Sequence, residues 1–108
     1  MKTYMVIGMG LFGAEVARKL CQQGCEVLAM DIRSDLVQQV SNDVTHAVVG
    51  DGQDKEVLRA LGAGKFDCAI IAIGDDLAAS VLTISLGFLM GDRAEERMRY
   101  AYTNLLIG

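Results

Sequence analysis

The sequence has 108 residues, of which 52% are hydrophobic, so it has the length and composition of one globular domain with a buried core. Its 10 basic and 14 acidic residues give a formal net charge of -4, which disfavours nucleic acid as a partner. No apolar run reaches the roughly 20 residues of a membrane-spanning helix, so we expect a cytoplasmic protein without direct membrane insertion.

Strands and helices alternate along the first half of the chain. Short apolar runs, each followed by a glycine or an aspartate, predict strands over residues 2–7, 26–30 and 45–49. Apolar residues at helical spacing predict helices over residues 11–23 and 34–42. Each strand is thus joined to the next by a helical connection, which is typical of a parallel sheet.

The second half continues this alternation and then departs from it. Asp54 caps a short helix that ends before Gly62, and residues 68–73 predict a fourth strand that is apolar on both faces. A helix over residues 76–90 has apolar residues around most of its circumference. Asp92 and Glu95 resemble a capping box, and the apolar spacing after them predicts an amphipathic terminal helix.

The predicted fold class is α/β, with a Rossmann-like parallel sheet in the order 3-2-1-4 and flanking helices. Residues 87–108 show no strand pattern, so we expect a sheet that is truncated or altered at the C-terminus. Strand four would then be an uncovered apolar edge. That edge and the apolar helix before residue 90 together predict a homodimer.

A glycine loop, Gly8-Met9-Gly10-Leu11-Phe12-Gly13, lies between the first strand and the first helix. In this context the G-x-G-x-x-G pattern is typical of a dinucleotide site. Gly8 allows the tight turn, Gly10 lets a pyrophosphate approach the backbone, and Gly13 lets the helix pack against the sheet. A glycine turn that is kept only for packing remains the structural alternative.

An acidic residue, Asp31, ends the second strand, where a carboxylate can accept hydrogen bonds from the hydroxyls of an adenosine ribose. The same charge would repel a 2′-phosphate, although Arg33 could soften that repulsion. By topology Asp51 lies near the adenine side, and Ile73 and Gly74 border the phosphates, although Asp51 could equally be a turn residue. The predicted cofactor-binding residues are Gly8, Met9, Gly10, Leu11, Phe12, Gly13, Asp31, Ile32, Arg33, Asp51, Gly52, Ile73 and Gly74.

Catalytic constellations are missing from the sequence. It contains no nucleophile elbow, no cluster with metal-ligand spacing and no P-loop. We therefore expect a binding protein rather than an enzyme, with no catalytic and no metal-binding residues. The alternative is an NAD-binding fragment of an oxidoreductase whose substrate domain is on another chain.

Five segments together resemble one family: VIGMGLFG (6–13), VLAMD (27–31), THAVVGDG (45–52), AIGDD (72–76) and AASVLT (78–83). They resemble the RCK or KTN domain that regulates potassium conductance, the N-terminal domain of Trk and Ktr potassium-uptake regulators. The resemblance runs from residue 3 to about residue 86. It divides the chain into a nucleotide-binding domain over residues 1–86 and a helical extension over residues 87–108.

The resemblance implies a cytoplasmic gating subunit that binds NAD(H), ADP or ATP. It also implies homodimers within larger rings, held at the inner face of the membrane by a potassium transporter or channel. Family members often have an arginine where this chain has Leu11, and that arginine can reach a terminal phosphate. Leu11 therefore makes a dinucleotide or ADP relatively more plausible than ATP.

Overall fold

The structure is a computed structural model that describes residues 2–72 and the backbone of residues 99–102. The strands are β1 (Thr3–Ile7), β2 (Glu26–Asp31), β3 (His46–Val49), β4 (Cys68–Ile71) and β5 (Arg99–Tyr102). The helices are α1 (Leu11–Gln22), α2 (Ser34–Val40) and α3 (Lys55–Ala60), and a 3-10 turn follows at Ala63–Lys65. None of the helices in this part of the chain is long and apolar enough to cross a membrane.

The five strands form one parallel sheet in the order β3-β2-β1-β4-β5. Strand β1 lies between β2 and β4, so that Tyr4 faces Val27 on one side and Cys68 on the other. The predicted order 3-2-1-4 is confirmed. Because all strands are parallel, the ends of β1, β2, β3 and β4 meet at one edge of the sheet, which we call the carboxyl edge.

The last strand corrects the sequence prediction. The prediction of a terminal amphipathic helix is wrong at Arg99–Tyr102. These residues form a strand that pairs in parallel with β4, with Arg99 opposite Cys68. Strand β4 is therefore not an edge strand, and the argument for a homodimer from an uncovered β4 edge fails. The helix predicted over residues 76–90 lies outside the described residues.

Two apolar layers cover the sheet, one on each face. On the first face Met5 and Ile7 of β1 pack with residues from β2, β4 and α3, including the fully buried Leu58. On the other face Val6 packs with residues from α1 and α2, including Ala17. The alternation along β1 follows from the two-residue period of a strand. Small residues on α1 bring its N-terminal end close to the end of β1.

Candidate functional site

The glycine loop begins with a turn that favours glycine. Gly8 has a φ of +103°, a conformation that side chains with a Cβ atom rarely adopt. Its N–H donates to the carbonyl oxygen of Met30 at 2.8 Å, so the turn is tied to the end of β2. This bond fixes the start of the loop at the carboxyl edge.

Gly13 is required by close packing. A Cβ atom built at this position would lie 1.8 Å from the Gly8 carbonyl oxygen and 3.3 Å from the Cβ atom of Ala72. Such distances are well inside van der Waals contact, so a side chain here would push α1 away from the turn. The prediction that Gly13 serves helix packing agrees with this geometry.

Among the described residues, no neighbouring atom requires a glycine at position 10. The φ of −67° at Gly10 suits any residue, and apart from its two chain neighbours no atom of the described residues lies within 4 Å of a Cβ atom built there. The fold in this region would therefore accept a side chain at Gly10. The open space next to the backbone leaves room for a ligand to approach closely.

Helix α1 begins beside this space, and within the described residues its first N–H groups lack a side-chain cap. Gly10 is its N-cap residue, no side chain in the described region caps it, and no acidic residue lies in its first turn. The first helical bond joins Ala14 N to Gly10 O at 3.0 Å. The N–H groups of Leu11, Phe12 and Gly13 thus precede the helical hydrogen bonds and carry the positive end of the helix dipole. This arrangement suits an anion such as a phosphate.

Asp31 holds two loops together at the end of β2. Its Oδ2 atom accepts from Met9 N at 2.7 Å, and its Oδ1 atom accepts from Arg33 N at 2.8 Å. A carboxylate has about four lone-pair positions, so these bonds leave acceptor capacity for ligand hydroxyls. Asp31 is therefore a loop-ordering residue whose carboxylate also remains available to a ribose.

Met9 has a different place from its neighbours in the glycine loop. Its side chain is 2% exposed and packs in the core between the sheet and α1. Its backbone N–H donates a hydrogen bond to Asp31 Oδ2. The buried side chain of Met9 is therefore turned into the core, and its backbone N–H helps to fix the position of the loop.

Arg33 forms a two-point ion pair with Asp35. Its Nη2 atom lies 2.7 Å from Asp35 Oδ2, and its Nε atom donates to Oδ1 at 3.3 Å. Hydrogen bonding from Arg33 lowers the pKa of Asp35 below its ordinary value. The guanidinium that sequence analysis placed near the ribose is thus already engaged by a carboxylate.

The loop after β3 closes the other side of the site. Gly50 N donates to the Asp31 carbonyl oxygen at 3.0 Å, which holds this loop against β2. Asp51 Oδ1 accepts from Gln53 N at 2.9 Å, and the Asp51 carbonyl accepts from Asp54 N at 3.0 Å. The turn role that was left open for Asp51 is therefore present in the structure.

A cleft of about 90 Å³ lies between these loops. Its lining includes five of the predicted residues, Gly8, Asp31, Ile32, Asp51 and Gly52, together with Ile7, Gly50 and Gln53. This volume fits one small group such as a ribose and is below the roughly 300 Å³ of an ordinary ligand pocket. The predicted residues Ile73 and Gly74 lie outside the described residues.

Among the residues that line the cleft, sequence analysis missed Ile7 at the end of β1, and Gly50 and Gln53. A Cβ atom at Gly50 would lie 3.1 Å from Val57 Cγ1 and 3.2 Å from Met30 Sδ, so this glycine allows the loop to pack against its neighbours. Gly50 directly follows β3, and Gln53 lies four residues after the last residue of that strand. Their position at the carboxyl edge was the signal that could have identified them.

A larger cavity of about 410 Å³ lies at the opposite edge of the sheet. Thr3 and Glu26 at the starts of β1 and β2 line it, together with Leu61 and Phe66. It has neither the glycine loop nor the start of α1, so size alone does not make it the better candidate. Within the described ranges, no group of three histidine, cysteine or acidic residues could hold a metal ion.

Comparison with known proteins identified a family and several similar proteins. The model of the TrkA-N domain family matches residues 4–96. Ktr system potassium uptake protein C of Bacillus subtilis (strain 168) is 45% identical over 82 residues, which cover 76% of this chain and 37% of that protein. Ktr system potassium uptake protein A of the same strain is 39% identical over 85 residues, covering 79% of this chain and 38% of that protein.

The Ktr system potassium uptake protein A of Vibrio alginolyticus is 38% identical over 81 residues, covering 75% of this chain and 37% of that protein. The chain thus spans 37% to 38% of the length of these three relatives. Among solved structures, the NAD(P)-binding domain of an exopolyphosphatase-related protein from Archaeoglobus fulgidus superposes with a TM-score of 0.78. The superposition covers 99% of this chain and 90% of the Archaeoglobus fulgidus chain at 20% sequence identity, so it supports the fold alone.

Proposed function

The chain belongs to the TrkA-N domain family, and on that premise we propose that it is the nucleotide-binding regulatory domain of a potassium-uptake system. One observation carries the proposal: no side chain of the described residues caps the start of α1, where Gly10 leaves open space next to the carboxylate of Asp31. The curated relatives are named as potassium uptake proteins, which supports the link to transport.

The residues present fit an adenine nucleotide. The N–H groups of Leu11, Phe12 and Gly13 would hold phosphate oxygens, and the open side of Gly10 would let them approach. Asp31 has acceptor capacity for the ribose hydroxyls, and the cleft beside it extends to Asp51. The bound nucleotide would supply binding free energy that differs between two conformations of the protein, and this difference would regulate the partner.

NAD(H) or ADP fits the start of α1 better than ATP does. Leu11 is 97% exposed and brings no charge to the phosphates, so α1 offers only backbone donors. A terminal phosphate with an additional charge gains more from a nearby cation than from dipoles alone. We therefore expect NAD, NADH and ADP to bind at least as tightly as ATP in the absence of magnesium.

The partner and place of action follow from the family. We propose a cytoplasmic domain, held at the inner face of the membrane by a potassium transporter or channel, that acts as a homodimer or larger ring and does no catalysis. The names of the relatives support the link to potassium uptake, and the resemblance to the RCK family implies the homodimer or ring. Light scattering at micromolar concentration tests it, and a strictly monomeric protein would contradict the homodimer.

Calorimetric titration with NAD, NADH, ADP and ATP, each with and without magnesium, tests the nucleotide site. We expect saturable binding that Gly10→Ala weakens at least about tenfold, which corresponds to losing one or two charge-assisted hydrogen bonds. Gln22→Ala, an exposed change at the other end of α1, is the matched control and should bind normally. A folded, nucleotide-free protein that binds none of the four ligands would overturn the proposal.

A further inference from the structure

The loop between β2 and α2 concentrates three charges within five residues. Asp31 ends β2, Arg33 is the N-cap residue of α2, and Asp35 lies in the first turn of that helix. The backbone N–H of Arg33 is bound to Asp31, while its side chain is bound to Asp35. Arg33 is therefore bound to both carboxylates, to Asp31 through its backbone N–H and to Asp35 through its guanidinium.

The direction of the Arg33 side chain bears on which ribose the site accepts. An arginine shortly after the acidic residue of β2 is the usual means of binding a 2′-phosphate, because a guanidinium matches phosphate in shape and charge. In this structure the guanidinium makes two contacts with Asp35, at 2.7 and 3.3 Å. Two carboxylates and one guanidinium leave a net negative charge around the ribose position.

We infer that Asp35 is a specificity-determining residue that holds Arg33 away from the ribose, so that the site selects adenine nucleotides with a free 2′-hydroxyl over those with a 2′-phosphate. This inference rests on the nucleotide-binding function proposed above. Asp35 acts through Arg33 and is a positioning residue. The chemical class of ligand is an adenosine with 2′- and 3′-hydroxyls, such as NAD or ADP.

The position of Asp35 makes a test by substitution practical. Both side chains of the ion pair are more than half exposed, at 64% and 58%, so replacing either leaves the core intact. An exposed pair is easily opened, and the expected change in selectivity is therefore moderate. Arg59 and Glu56 form a similar exposed pair on α3, with a contact of 3.1 Å, and provide a control outside this loop.

The experiment compares NAD and NADP binding by calorimetry for the wild type, Asp35→Asn, Arg33→Ala, the double variant and Glu56→Gln. We expect the NAD-over-NADP affinity ratio to fall about fivefold in Asp35→Asn and to rise in Arg33→Ala. In the Arg33→Ala background, Asp35→Asn should change the ratio much less. Glu56→Gln removes the same charge from α3 and should leave the ratio within about twofold of the wild type.

The outcomes separate this inference from the proposed function. An unchanged ratio in both Asp35→Asn and Arg33→Ala, with NAD still bound, overturns the role of Asp35 and leaves the nucleotide site standing. Equal weakening of both ligands in Asp35→Asn also overturns it, because a merely structural residue would act in that way. Absence of binding by any adenine nucleotide to the wild type overturns the inference and the proposed function together.

Discussion

Helices α1 and α3 both begin at the carboxyl edge of the sheet, but their first N–H groups have different partners. At α3, Asp54 is the N-cap residue and accepts from Glu56 N at 2.9 Å, and Glu56 adds an acid to the first turn. At α1, the N-cap residue is Gly10, and neither a side-chain cap in the described region nor a first-turn acid is present.

Under the proposed function, the difference separates a helix start that stabilises the protein from one that would bind a ligand. Asp54 and Glu56 place negative charge at the positive end of α3, which stabilises that helix. Acidic residues at the same places on α1 would lie at the proposed phosphate position and would repel a phosphate. Helix α2 lies between the two cases, because it has no side-chain cap within the described part but carries Asp35 in its first turn.

The largest effect is expected where α1 meets the glycine turn. Gly13→Ala should lower the free energy of unfolding by about 3 kcal/mol, because the new Cβ atom clashes with a backbone oxygen. Urea denaturation measures this change. Gly10→Ala is the control and should lower the free energy of unfolding by only about 0.5–1 kcal/mol, because alanine is a poorer N-cap residue than glycine, so equal losses in the two variants would contradict the distinction between them.

Gly10→Asp would give α1 the kind of cap that α3 has. The new carboxylate should cap α1 and keep the free energy of unfolding at or slightly above the wild-type value. It should also weaken nucleotide binding at least about thirtyfold, because a fixed negative charge would lie at the phosphate position. Calorimetry and urea denaturation on one preparation test both parts. Undiminished binding would show that the phosphate does not lie at this helix start.

Asp54→Ala is the converse change at α3. Loss of the cap should lower the free energy of unfolding by about 1 kcal/mol, while nucleotide affinity stays within about twofold of the wild type. Asp54→Asn keeps an oxygen that can accept from Glu56 N and should retain most of the stability. A large loss of affinity in Asp54→Ala would mean that the start of α3 also belongs to the binding site.

The smallest effect is expected at Asp67, whose carboxylate accepts a hydrogen bond from a backbone N–H group at the start of β1. Its Oδ2 atom accepts from Thr3 N at 2.9 Å, and this bond holds the pKa of Asp67 below its ordinary value of 3.8. A lowered folded-state pKa gives stability that is present above the ordinary value and is lost as the pH falls through the folded-state pKa.

The urea midpoint should therefore fall between about pH 5 and pH 3, and it should fall less in Asp67→Asn. The variant and the wild type are compared at both pH values, so that the other carboxylates act equally in both proteins. An identical pH dependence would contradict a role of the Thr3–Asp67 bond in acid stability.

The first β-α-β unit was predictable because its signals are local. Predicted bounds for β1, α1 and β2 agree with the structure to within one residue, since the strand and helix periods lie within the segments themselves. Strand β5 was missed because Arg99–Tyr102 has only four residues, too few to separate a strand period from a helical one. Its pairing with β4 is a non-local contact that no local pattern contains.

For the site, sequence analysis predicted the residue types and their common edge but not their hydrogen bonds. The cleft brings Asp31, Asp51 and Gly8 together as topology requires. The two backbone donors on Asp31 depend on loop conformation, which the sequence does not specify. The pairing of Arg33 with Asp35 could have been suspected from their opposite charges and separation of two residues.

The central position of β1 affects the order of events during folding. Strand β1 can pair with β2 after a short helical connection, but its bond from Thr3 to Asp67 joins residues 64 positions apart. Closing such a long loop is slow, and sheets with distant pairings fold more slowly than helical bundles. Until β4 arrives, one side of β1 exposes unpaired backbone groups to other unfolded chains, which makes this strand prone to aggregation during refolding.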